Sequence, residues 1–362
     1  MQRAIQVKNL ENMSVKLKLY CVKVSTVLIF MLFLQSAMAQ SDFSEVDRKL
    51  EAAKKELGDK VVALIYKDGK IIYQKAIGTE FNAKTQAPIA SCSKWLTAAL
   101  VMSFVDQGKL SLDDKVSKFI PLFSKYSKGY ITIKDCLAHL TGIESEPVKL
   151  INIFGRKKFA TLEEEVDDFA SKKEIQSNPG LEFRYSGIGL NIAGRVLEIL
   201  TKRSFEQLMQ ERITRPLMMR NTSYASFNAV NPSGGAVSTA SDYMNFLSMI
   251  LNKGMFNGKQ ILSEKAIIAM QTVRTTSSMI KYAPKAAEGF NYGFGEWIIE
   301  ADENGVGNVV ASPGLFGTWP MVDKCRGYAC IFFTKGLLGE ERKDIYMDIK
   351  KTIDEQLAST CK

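Results

Sequence analysis

The chain has 362 residues, 46% hydrophobic and 24% charged, an ordinary globular balance that can bury one large core or two smaller ones. Its formal net charge is +9, but part of that sits in the first 39 residues; the other basic residues are scattered among acidic ones with no aromatic-interleaved stripe, which speaks against nucleic-acid binding. A single histidine, His139, excludes a two-histidine zinc hydrolase, and without a Cys-x-x-Cys pair no metal or other cofactor is expected.

The N-terminus carries Lys16, Lys18 and Lys23, then an apolar run from Val24 to Leu34, then Ala37-Met38-Ala39 before Gln40. A basic region, a short apolar core and an A-x-A site predict a secretory signal peptide over residues 1–39, and hence a periplasmic or secreted protein. The alternative is an uncleaved anchor, which the shortness of the run argues against, so no stable membrane span is expected after cleavage. Met13 is a second possible start, and Cys21 precedes the apolar run, so a lipoprotein attachment site is not supported. Five cysteines then remain, an odd number: Cys92, Cys136, Cys325, Cys330 and Cys361. Cys325 and Cys330 flank Arg326-Gly327-Tyr328 and could face each other across a hairpin.

Asp42 to Leu57 reads as an amphipathic helix closed by Gly58. Val61–Tyr66 and Lys70–Tyr73 flank Asp68-Gly69, a strong hairpin signal. Next comes Ile89-Ala90-Ser91-Cys92-Ser93-Lys94-Trp95, an extended approach that turns into a largely buried helix ending near Gly108. From about residue 90 to 285 helices dominate: Ile133–Leu140 capped by Thr132, an acidic helix over 162–175, an apolar one from Gly187 to Leu200, then Ser204–Ile213, Thr239–Leu251 and Ser263–Gln271. Strands return at Phe294–Glu300, Asn308–Ser312, Thr318–Val322 and Ala329–Thr334, short and rich in aromatic and β-branched residues. A last helix spans Arg342 to Leu357. The strands at the two ends are expected to share one antiparallel sheet.

The chemistry centres on Ser91 and Lys94. Three residues apart, their side chains share a helix face, so a hydroxyl and an amine can form a nucleophile and base pair. Ser-x-x-Lys also occurs at Ser278–Lys281 and Ser359–Lys362, where a capping serine beside a solvated lysine is the better reading. What sets the first copy apart is its apolar context and its downstream partners. Tyr185, just before an apolar helix, offers a phenol to relay a proton. Ser312-Pro313-Gly314, at a strand edge, lets a backbone approach a substrate closely. With no G-x-S-x-G elbow, a covalent hydrolase here needs a lysine or tyrosine as its base.

In this order and spacing the motifs resemble the serine β-lactamase and penicillin-binding-protein superfamily, most of all its class C β-lactamase-like branch with its esterases, D-aminopeptidases and 6-aminohexanoate-oligomer hydrolases. The resemblance runs from about residue 45 to 355. It includes His139-Leu140-Thr141-Gly142, Pro179 to Gly194 around Tyr185, Arg215-Pro216-Leu217-Met218, Gly234 to Tyr243 and Asn291-Tyr292-Gly293-Phe294-Gly295. It implies an α+β fold of β-lactamase/transpeptidase type: an antiparallel sheet flanked by helices, with an α/β lobe from 40–88 plus 290–362 and an inserted all-helical lobe from 89–289. It also implies an acyl-enzyme mechanism with Ser91 as nucleophile and Lys94 and Tyr185 as general base and acid. Ser312, Gly314 and Leu315 would line the substrate and oxyanion edge, with the backbone N–H groups of Ser91 and Leu315 as donors. His139 and Gly187 would shape the cleft. Lys94 or Tyr185, with ordinary pKa values of about 10.4 and about 10, must lose its proton far more readily than usual.

Two departures narrow the substrate. Tyr185-Ser186-Gly187 lacks the asparagine of the usual Tyr-x-Asn, and Ser312-Pro313-Gly314 lacks the usual cation of the third motif. A carboxylate-bearing substrate loses its counter-charge, which favours a small ester or amide. The other readings are a D-peptidase or weak β-lactamase acting on peptidoglycan-type substrates, and a non-catalytic muropeptide-binding protein. Oligomeric state is not indicated.

Overall fold

The computed structural model describes residues 41–145, 159–336 and 342–361. The expected signal peptide lies outside them, as does Lys362 of the third Ser-x-x-Lys copy. Among the described residues no helix is long and apolar enough to cross a membrane.

Helix α1 (Ser44–Ala52) buries Val46 and Leu50, then gives way to turns in which Gly58 and Asp59 take positive φ, so it ends short of Leu57. Strands β1 (Val61–Lys67) and β2 (Lys70–Ile77) make the expected hairpin. Asp68 and Gly69 have φ of 48° and 82°, the two left-handed residues a tight hairpin turn requires. The other strands of the sheet come from the far end of the chain: β3 (Asn291–Tyr292), β4 (Trp297–Ala301), β5 (Gly307–Ala311), β6 (Trp319–Asp323) and β7 (Tyr328–Thr334). The seven strands are antiparallel in the order β2-β1-β7-β6-β5-β4-β3. The two ends of the chain therefore share one sheet, with Val61 opposite Thr334 and Lys67 opposite Tyr328.

Between the two groups of strands the chain is mainly helical. Helix α2 (Ser93–Asp106) is buried on every side from Ser93 to Phe104, and its sequence accordingly shows no polar stripe. Helix α3 (Ile133–Leu137) opens with a capping box between Thr132 and Asp135. It stops before the expected Leu140 because His139 takes a left-handed φ of 57°. Helices α4 (Leu162–Lys172), α5 (Ile188–Thr201) and α6 (Ala240–Leu251) follow. Helix α6 lies against β1, β6 and β7, and the final helix α7 (Lys343–Gln356) stacks Tyr346 on Trp319 and Phe332.

The middle of the chain, expected to be all helical, also carries short strand pairs. Ala87–Pro88 pairs with Val237–Ser238, Phe183–Arg184 runs parallel to Ile280–Tyr282, and Met255–Phe256 meets Lys259–Gln260. The first pair delivers the chain to Ser91 and the second to Tyr185, so a few ladder hydrogen bonds position both side chains.

The cysteine pairing differs from expectation. Cys325 bonds Cys361, tying the turn between β6 and β7 to the tail after α7, while Cys92, Cys136 and Cys330 are free and buried. The register explains why Cys330 is not the partner: it faces Met321 within the ladder, whereas Cys325 lies beyond the last pair, Asp323 and Tyr328. Buried Lys350 on α7 adds a second tie, 3.3 Å from Asp323 and 2.5 Å from Asp354.

Candidate active site

The chain enters the site through a strained step. Ala90 takes a φ of +45°, and Ala90–Cys92 form a single 3-10 turn before α2 begins at Ser93. A left-handed alanine costs about 1 kcal/mol, and here it turns the Ser91 hydroxyl toward the next turn of helix. Lys94 Nζ donates to Ser91 Oγ at 3.1 Å and to the Ser233 carbonyl at 2.8 Å. Ser91 is 8% exposed, against 3% for Lys94 and 2% for Tyr185, so the hydroxyl is the most accessible of the three.

Tyr185 reaches the pair from the other side, with Lys94 Nζ 4.7 Å from its ring centre. Its backbone N–H donates to the Tyr282 carbonyl at 3.1 Å, and its ring packs on His139 (4.7 Å) and Trp297 (5.2 Å). His139 Nδ1 accepts from the Ser186 N–H at 3.4 Å, so Nε2 carries the hydrogen and donates to the Tyr292 hydroxyl at 3.1 Å. Burial, with the nearby Lys94 charge, holds this imidazole well below its ordinary value of 6.5. It is a neutral ring that buttresses Tyr185.

The third motif lies against the nucleophile turn. Ser312 is buried, and its hydroxyl donates inward to the carbonyls of Gly295 (3.3 Å) and Ser91 (3.5 Å). A Cβ on Gly314 would lie 2.4 Å from the Ile89 carbonyl oxygen and 3.0 Å from Cys92 Sγ, so only glycine allows this approach. The Gly314 N–H donates to the Thr318 carbonyl at 2.8 Å, which leaves the next amide, that of Leu315, as the candidate oxyanion donor. Gly187 precedes α5, and a Cβ there would lie 2.6 Å from Ser233 Oγ. The serine of another loop fills that room. The Ser278–Lys281 copy forms no such pair, since Lys281 is exposed and donates to the Ser278 carbonyl.

Sequence reasoning missed Ser233. Segment 232–236 is bound along α2 and its entry: Thr97 Oγ1 donates to the Pro232 carbonyl at 2.6 Å, Lys94 to that of Ser233, and the Ala236 N–H to Ser93 Oγ at 3.1 Å. The only signal was Gly234-Gly235, a pair that marks close backbone approach. Two neighbouring nucleophiles are withdrawn. Cys92 is wholly buried, its thiol pushed up by desolvation, and Ser93 is wholly buried with its hydroxyl engaged.

Glu296, beside Gly295 of the same wall, is fully buried, and neither carboxyl oxygen has a hydrogen-bond partner among the described residues. Burial raises its pKa well above the ordinary 4.5, only partly opposed by Lys324, so the fold favours its protonated form. Between pH 4.5 and that raised value the unfolded chain releases this proton while the folded one keeps it, so stability falls as pH rises, by up to about 1.4 kcal/mol per pH unit. Glu296→Gln should remove that slope; urea midpoints that decline above pH 4.5 as steeply as in the wild type would contradict it.

The chain belongs to the Beta-lactamase family, whose model matches residues 48–352. It is 29% identical to Protein flp of Staphylococcus aureus (strain MW2) over 175 residues, which cover 46% of this chain and 34% of flp, so it spans about a third of that curated relative. A solved structure from Bacteroides dorei DSM 17855, provisionally assigned as a beta-lactamase, is similar with a TM-score of 0.76 and 27% identity over 87% of this chain and 98% of its own. EstCE1 is similar in fold, with a TM-score of 0.72 and 20% identity over 88% of this chain and 100% of its own.

Proposed function

We propose that this is an exported serine hydrolase that cleaves a small ester or amide through an acyl-Ser91 intermediate. The observation that carries the reading is the convergence of one accessible hydroxyl, one buried amine at 3.1 Å and one buried phenol ring 4.7 Å from that amine. Ser91 Oγ bonds to the substrate carbonyl carbon while its proton passes to Lys94. The negative oxygen that forms is held by the N–H groups of Ser91 and Leu315. Lys94 and Tyr185 return the proton to the leaving alcohol or amine as its bond to carbon breaks. Water then attacks the acyl group by the same route, restoring the free hydroxyl and releasing the acid.

Substrate preference follows from what the site lacks. Ser312 offers no cation and spends its hydroxyl on two carbonyls, so a free carboxylate on the substrate finds no counter-charge there. The bond between Cys325 and Cys361 supports an oxidising compartment, in keeping with the leader-like N-terminus. We read the chain as two lobes about this site, residues 40–88 with 290–362 and residues 89–289, a division supported by the origin of every strand of the large sheet in the first set.

Intact-protein mass spectrometry after exposure to a panel of esters, amides and β-lactams tests the reading. The expected result is a transient acyl adduct on Ser91 from small neutral esters. A persistent penicillin adduct alone would turn the reading to a D-peptidase or weak β-lactamase. No adduct from any probe, with tight muropeptide binding, would turn it to a binding protein.

A further inference from the structure

We propose that Asn191 and Glu165 are positioning residues, a buried polar arm that fixes the Ser233 carbonyl against Lys94. The inference rests on the role of Lys94 given above. Asn191 lies on α5, one turn after Gly187, and is wholly buried between Leu190 and Ile192. An amide there costs free energy unless both ends are engaged, and an apolar side chain would serve the packing equally well. Both ends are engaged. Asn191 Nδ2 donates to Glu165 Oε2 of α4 at 2.8 Å, and Asn191 Oδ1 accepts from the Ser233 N–H at 3.0 Å.

The geometry says what this arm holds. The peptide between Pro232 and Ser233 is gripped at its carbonyl by Thr97 Oγ1 and at its N–H by Asn191. Asn231 Oδ1 also receives the Ser233 N–H, at 3.2 Å, and the Ser233 hydroxyl, at 2.7 Å. The following peptide is held as well, its Gly234 N–H donating to the Asn231 carbonyl at 3.2 Å, and its Ser233 carbonyl meets Lys94 Nζ at 2.8 Å. Gly187 completes the arrangement, since a Cβ there would lie 2.6 Å from the Ser233 hydroxyl oxygen and push that hydroxyl off Asn231. Around Lys94 stand Ser91 on its own segment and the Tyr185 ring from the strand before α5, while its charge reaches Cys92 and, after α3, His139. The Ser233 carbonyl thus steadies the amine as it gains and loses a proton.

Three variants test this. Asn191→Leu keeps the branched shape of the side chain and removes both hydrogen bonds. Glu165→Leu frees the amide to rotate, and Glu165→Gln keeps an acceptor for it. The first readout is the pH titration of Lys94 by NMR with 13Cε-labelled lysine, which needs no turnover. In Asn191→Leu and Glu165→Leu the Lys94 resonance should titrate at least about half a pH unit lower, because a loosened carbonyl stabilises the ammonium less. Glu165→Gln should stay at the wild-type value. For p-nitrophenyl acetate, kcat should fall about tenfold in the two leucine variants with KM within about twofold. Unchanged Lys94 titration in folded Asn191→Leu would overturn the proposal. Should that variant not fold, the same result in Glu165→Leu overturns it. A wild type that turns over no ester counts against the proposed function, while the titrations still decide the role of the arm.

Discussion

Replacing Ser91 by alanine is expected to lower p-nitrophenyl ester turnover by at least about 10³-fold and to abolish labelling by a fluorophosphonate. The fold should survive, because Lys94 keeps its 2.8 Å hydrogen bond to the Ser233 carbonyl when the hydroxyl is gone. The stability change should stay within about 1 kcal/mol, the scale of one hydrogen bond. No neighbouring group can inherit the chemistry, since Cys92 and Ser93 are both fully buried. Lys94→Ala should cost a comparable factor, and the double variant should be little worse than either single one, as expected of groups that act as a unit. Undiminished labelling of the Ser91→Ala protein, read by intact mass, would sink the assignment.

Gly314→Ala should produce the second large effect, by a different route. The added methyl would meet the Ile89 carbonyl oxygen at 2.4 Å, and this neighbour is backbone that cannot rotate aside. Either the 312–318 edge or the nucleophile turn must then move by roughly half an ångström or more, the scale on which a site loses its geometry. We expect a loss of about 10² in kcat, the scale of a misplaced oxyanion donor, and of about 1–3 kcal/mol in stability from overpacking. Ser91 should still be labelled, only more slowly. A fluorophosphonate labelling rate equal to wild type would show that this edge does not border the reacting oxygen.

The elements that carry the site were legible because their signals are local. Ser91 and Lys94 needed only a helical spacing of three, and the β1–β2 hairpin needed only Asp68-Gly69 between apolar runs. Ends of helices were harder. Helix α3 closes early at a left-handed His139, a conformation that histidine favours too weakly to mark a helix end by itself. The acceptor for Lys94 was out of reach for a plainer reason: every residue has a carbonyl, and only the folded path of segment 232–236 selects that of Ser233. Asn191 reads in sequence as one polar residue in an apolar helix, and its purpose emerges only when Glu165 and Ser233 converge on it. Cys361 lies 36 residues beyond Cys325, a separation over which sequence gives no hint of pairing.

The left-handed Ala90 has a further consequence. Glycine would adopt that conformation without penalty, so the step into Ser91 is a point where robustness and reactivity pull in opposite directions. A methyl group narrows the routes the chain can take through this step and so keeps the hydroxyl aimed. On the proposed function, heat-hardening that began by relaxing this turn would exchange working speed for shelf life, and thermal engineering of the protein belongs on its distant surfaces instead.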